Sequence, residues 1–126
     1  QSASIRPGKV LLAGISNGGM AALEIASRYS DRFMGVAAVP GMLTQSTVLI
    51  KLKGMPIYWR VGDRDELKWA ASFPAQVRKL KDAGALVDAK LAENSKHALA
   101  LNWDEFGLWL GVRMEENLRP PTRPRQ

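Results

Sequence analysis

The 126-residue chain has no cysteine, a single histidine and no long apolar run. The missing cysteine excludes disulfides, thiol nucleophiles and cysteine-ligated metal sites, although it does not fix the compartment. No apolar stretch approaches the roughly 18–20 residues that a membrane span requires. No internal repeat is present. The Gly-x-Gly-x-x-Gly spacing and suitably placed ribose-binding acid of a nucleotide-binding Rossmann turn are also missing. No targeting segment is legible, but the first apolar strand begins close to Gln1, which leaves room for a segment upstream.

The net charge of +6 raises the question of nucleic acid. The basic residues are scattered, and three of them, Arg119, Arg123 and Arg125, fall in the C-terminal tail. The one tight group, Arg78, Lys79 and Lys81, lies on an expected helix whose other face is apolar, so it reads as a solvated face. No basic run is interleaved with aromatics, and nucleic acid is not an expected partner. A hydrophobic content of 46% is enough for one domain with a real core, and the length allows no second.

What is present is organised around one stretch, Lys9 to Met20. Val10 to Ala13 is wholly apolar, as a strand of a doubly covered parallel sheet is. It runs into Gly14-Ile15-Ser16-Asn17-Gly18, and from Asn17 to about Tyr29 the spacing predicts a helix with a small-residue face. Strand, Gly-x-Ser-x-Gly and helix together describe a nucleophile elbow, a tight turn that lifts a serine hydroxyl above the sheet. Gly14 and Gly18 are expected to let the strand and helix backbones approach. The amide of Asn17 then points to where negative charge would develop. The same turn could instead pack only, or cradle a phosphate at the helix N-terminus.

Further along, Gln1 to Gly8 reads as a lead-in loop, and Met34 to Val39 as a strand ended by Pro40-Gly41. Met42 to Gly54 has no clean period. Its Met42, Leu43, Val48, Leu49 and Ile50 suit either an apolar acyl pocket or the core. Pro56 to Val61 is a third strand. Trp69, Phe73, Val77 and Leu80 then mark a helix ending near Gly84, with Pro74 implying a kink or a late start at Ser72. Ala85 to Leu91 is a fourth strand. Leu99, Trp103, Phe106, Leu110 and Met114 predict a last helix, and residues 119–126 read as a mobile Pro/Arg-rich tail.

Strands alternating with helices imply an α/β fold with a parallel sheet, whose ligands bind beyond the carboxyl ends of the strands. Three loops fall there. The first carries Ser16; the second reads Gly62-Asp63-Arg64-Asp65-Glu66; the third carries His97. The order Ser16, Asp65, His97 is the order of a hydrolase triad in this architecture, with Asp63 as the reserve acid. Taken singly, Asp65 also suits a helix N-cap, and His97 a solvated or capping role.

Here the chain resembles the α/β-hydrolase superfamily. Gly-Ile-Ser-Asn-Gly-Gly-Met is similar to the elbow of its esterase branch, which includes polyhydroxybutyrate depolymerase-like and feruloyl esterase-like enzymes. Gly62-x-x-Asp65 is similar to the acid loop, and His97 to the histidine loop, although Ser95-Lys96 stands where that family usually has a glycine. The resemblance covers nearly the whole chain but only the second half of the fold: about four strands of a three-layer sheet, with residues 1–118 as the C-terminal portion of a hydrolase domain. It implies a serine esterase with Ser16, Asp65 and His97 as triad, Asn17 in the oxyanion hole, and no metal or organic cofactor. The substrate would be a small-molecule or polymeric ester. A serine peptidase of the same fold and a non-catalytic hydrolase-like binding protein are the alternatives. The strand at Val10 would be an apolar edge, so the N-terminal half of the fold or another chain is expected to pair with it.

Overall fold

A computed structural model describes residues 9–118; the expected lead-in loop and Pro/Arg-rich tail lie outside the described residues. The elements run β1 (Val10–Gly14), α1 (Asn17–Arg28), β2 (Phe33–Ala38), β3 (Pro56–Gly62), α2 (Trp69–Asp82), β4 (Leu86–Ala92) and α3 (Trp103–Leu118). Two short 3-10 turns, Ser30–Arg32 and Leu49–Leu52, lie in the connections before β2 and β3. All strand pairs are parallel, in the spatial order β1-β2-β3-β4.

A parallel order that advances steadily in one direction puts every right-handed crossover on the same face. Accordingly α1, α2 and the Leu49–Leu52 turn share one core with Val36, Ala38, Ile57, Trp59 and Val61. The alternate residues Ala37, Val39 and Tyr58 point the other way, and α3 covers them with Trp109, Phe106 and Leu110. This makes three layers. Strand β3 is buried along its whole length, as its near-continuous apolar run requires. Trp59 is fully buried, edge-on to Phe73 at 4.9 Å between centroids, and its indole N–H donates to the Gly41 carbonyl at 2.8 Å.

Two helix expectations need correction. The last helix starts at Trp103 rather than Leu99, and Trp103 and Met114 are exposed, while Trp109 is the buried residue. The helix packs mainly on β2 and β3, so its middle is covered and both ends of the stripe reach solvent. Helix α2 begins at Trp69, not Ser72, and simply contains Pro74. The carbonyl of Ala70 loses its proline donor there, close enough to the N-terminus that the helix continues.

Arg60, the lone charge in β3, is 5% exposed under α3. Its guanidinium lies over the Tyr58 ring at 3.9 Å. It donates to Glu105 Oε1 at 2.6 Å, to Asp88 Oδ1 at 3.0 Å and to the carbonyls of Trp59 and Asp88. Lys90 adds a second cation to Glu105 at 3.1 Å. Hydrogen bonds from Arg60 and Lys90 hold the Glu105 carboxyl down at about 2. Burial pushes the Tyr58 phenol up to about 12, against the opposing pull of Arg60.

Both shifts translate into stability against pH. The depressed Glu105 stabilises the fold above the ordinary carboxylate range, and that contribution fades as pH falls from about 4.5 towards 2. The raised Tyr58 stabilises below pH 10, and its contribution fades as pH rises from about 10 towards 12. Glu105→Gln is therefore expected to flatten the acid limb of a urea-midpoint-versus-pH curve and, because Glu105 accepts the Tyr58 hydroxyl at 3.1 Å and helps to raise that phenol, to shrink the alkaline limb as well.

Candidate active site

The parallel register brings the strand ends together. Gly14 pairs with Ala38, and Gly62 with Ala92, so the loops after β1, β2, β3 and β4 open on one edge of the sheet. Ser16, Asp65 and His97 all stand on that edge. Ser16 Oγ is 2.6 Å from His97 Nε2, and His97 Nδ1 is 2.8 Å from Asp65 Oδ2. Asp63, the reserve acid, faces elsewhere: its Oδ1 accepts the Ser95 amide at 3.2 Å.

Ser16 has φ 59° and ψ −118°, a backbone conformation that costs a non-glycine residue about 1–3 kcal/mol. Surrounding bonds hold it there. The Ser16 amide donates to Pro40 O at 2.9 Å, the Gly18 amide to Ile15 O at 2.9 Å, and the Met20 amide to Ser16 O at 3.0 Å. The Asn17 amide opens α1, where no intrahelical acceptor exists, and it has no partner among the described residues. It is free to donate to a ligand beside Ser16.

The elbow glycines divide differently from expectation. A Cβ on Gly14 would overlap the Gly18 carbonyl, so Gly14 is needed for the close approach. A Cβ on Gly18 would meet nothing. The second forced glycine is Gly19, where a Cβ would overlap Pro40 O and press on Gly41 at 2.9 Å. Gly18 enters through its backbone alone, and the Gly18-Gly19 pair was the legible trace of this contact.

Asp65 has a fully buried side chain that uses both oxygens: Oδ2 faces His97, and Oδ1 accepts the Leu67 amide at 2.7 Å. It does not cap α2, whose N-cap is Lys68 in the left-handed region. With Asp65 Oδ2 accepting a hydrogen bond from Nδ1–H, Nε2 is left as the acceptor for the Ser16 hydroxyl. The His97 ring stands edge-to-face against Trp69 at 4.7 Å and 89°. Glu66 Oε1 accepts the His97 backbone amide at 2.7 Å, and that bond holds the Glu66 carboxyl below its ordinary range. Neither Trp69 nor Glu66 stood out in the sequence, because one looks like helix core and the other like a solvated loop charge. In the connection after β2, Leu43 and Leu49 pack against the core while Ile50 is exposed. No cluster of metal-ligating residues occurs among the described residues, and no helix there is long and apolar enough to cross a membrane.

The three layers and the parallel strand order are those of the α/β-hydrolase fold. The family described as Putative esterase matches residues 1–102, a span that includes Ser16, Asp65 and His97, and the chain belongs to that family. The curated protein "Putative esterase NocK" of Nocardia uniformis subsp. tsuyamanensis is 37% identical over 68 residues, 53% of this chain and 20% of NocK. Among solved structures, Arabidopsis thaliana SOBER1 superposes with a TM-score of 0.73 at 24% identity, covering 88% of this chain and 56% of SOBER1. Esterase PE8 gives 0.71 at 21%, covering 90% and 53%. Zea mays acyl-protein thioesterase 2 gives 0.69 at 18%, covering 90% and 58%. The chain thus spans just over half the length of these solved structures and about a fifth of NocK.

The glycine assignment has a direct check in urea denaturation. Gly18→Ala is expected to be neutral or to stabilise by up to about 1 kcal/mol, since alanine favours the helix. Gly19→Ala is expected to cost about 1–3 kcal/mol or more, because backbone must move.

Proposed function

We propose that the chain carries the chemistry of a serine hydrolase that cleaves carboxylic esters through an acyl-enzyme. The observation that carries this reading is the continuous hydrogen-bonded line from Ser16 Oγ through the His97 imidazole to Asp65 Oδ2, seated on a strained elbow. Ser16 Oγ attacks the ester carbonyl while His97 Nε2 takes its proton. Asp65 orients the ring and stabilises the imidazolium. The Asn17 amide donates to the oxyanion. His97 then protonates the leaving alcohol, and a water, activated by the same imidazole, hydrolyses the acyl-Ser16 ester.

Among the described residues the Asn17 amide is the one oxyanion donor we assign, and a second is worth roughly 10²–10³ in turnover. We place residues 9–118 in the C-terminal portion of a larger hydrolase domain whose further strands, or another chain, pair with β1 and bring that donor. Two observations support this. Among the described residues strand β1 is an edge with Val10 57% exposed, and the chain covers only 53% of esterase PE8 and 56% of SOBER1. A small or polymeric ester is the proposed substrate class, and the thioesterase among the structural neighbours makes a thioester the first variant to compare.

Ser16→Ala and His97→Ala should each lower p-nitrophenyl butyrate hydrolysis by the full chain at least about 10³-fold. A fluorophosphonate should label Ser16 in wild type but not in Ser16→Ala. Unchanged rates and no labelling would favour a non-catalytic binding role.

A further inference from the structure

His97 belongs to no helix or strand. It sits in the connection between β4 and α3, where Asn94 already adopts a left-handed φ of 50°. A loop of this kind places a ring within hydrogen-bond tolerance only if its backbone is fastened. The fastening comes from the acid loop. The Asp63 amide donates to Ala92 O at 3.0 Å and the Arg64 amide to Ser95 O at 2.9 Å. In the other direction the Ser95 amide donates to Asp63 Oδ1, and the His97 amide to Glu66 Oε1. Gly62 lets the two loops touch: a Cβ there would overlap the carbonyls of Ser95 and Lys96.

The last of these bonds is made at the histidine itself, at 2.7 Å, and to an ionised acceptor, which makes it the strong kind. It is also the bond by which the acid loop holds the backbone amide of the residue whose ring must meet Ser16 on one side and Asp65 on the other. We propose that Glu66 is a positioning residue for His97: it holds the main chain of His97 while the adjacent Asp65 holds its ring, so consecutive carboxylates set the imidazole by both handles. This rests on the hydrolase reading above for its kinetic consequence, but not for the contact.

The role has a functional cost because a displacement of about 1 Å in a reacting group can lower the rate about 100-fold. Glu66→Ala removes the acceptor, whereas Glu66→Gln keeps an oxygen at the same place. In the full chain, Glu66→Ala is expected to lower kcat for p-nitrophenyl butyrate about 10- to 100-fold, with KM within about two-fold. Glu66→Gln should restore most of that loss. Amide hydrogen exchange gives an independent readout: the His97 amide should be protected in wild type and Glu66→Gln and should exchange freely in Glu66→Ala, with core amides such as Ile57 and Trp59 unchanged. Wild-type kcat and unaltered His97 protection in Glu66→Ala would overturn the proposal, as would a Glu66→Gln protein as impaired as Glu66→Ala. If Ser16→Ala is as active as wild type, the hydrolase reading fails, and the exchange experiment still decides whether Glu66 holds His97.

Discussion

The structure turns on one close contact: the end of β1, the first turn of α1 and the Pro40-Gly41 corner meet backbone to backbone. Gly14 lies against the Gly18 carbonyl and Gly19 against the Pro40 carbonyl, with no space for a side chain at either glycine. The Ser16 amide is captured by Pro40 O. Strand and helix can join across so short a turn only if the residue between them takes a positive φ, and Ser16 does. The strain at one residue is offset by the packing of β1, β2 and α1 around it. Its result is a hydroxyl and a free helix N-terminal amide presented side by side.

Everything else on that edge is positioned relative to this corner. Parallel pairing in register carries the order from Gly14 through Ala38 and on to Gly62 and Ala92, so loops distant in sequence emerge together. A single registered sheet is therefore enough to bring a side chain after β1 within 2.6 Å of one after β4. The other face of the sheet is held by a different device. Arg60 is buried there among carbonyls, Asp88, Glu105 and the Tyr58 ring, where every guanidinium bond is needed to offset the loss of water. Glu105 belongs to α3, so this ion pair also ties the last helix to the sheet.

The acid and histidine loops behave as one unit. Their cross-bonds run in both directions, and Gly62 lets them lie in contact without an intervening side chain. Ser95-Lys96 precedes the histidine, and Gly62 lies directly against the carbonyls of those two residues.

Much of this was legible in the sequence. Apolar runs punctuated by Gly and Pro determined four parallel strands and their crossovers, and the order Ser16, Asp65, His97 after three strand ends marked the candidate triad. These are local signals, carried by periodicity and turn chemistry, and a chain displays them before it folds. What only the tertiary structure decided were relations between distant segments. Asp65 rather than Asp63 meets the imidazole, because the turn closed by the Asp65 amide on Gly62 O aims one carboxylate inward and the other at Ser95. Gly19 rather than Gly18 is the crowded position, because the Pro40 carbonyl arrives from the next strand. Trp103 and Met114 share the helical phase of Phe106 and Leu110 but stay exposed, because the sheet beneath α3 ends before they do. The elbow that the sequence marks at Gly14 to Gly18 is thus a contact among three segments, and its serine owes its conformation to the third.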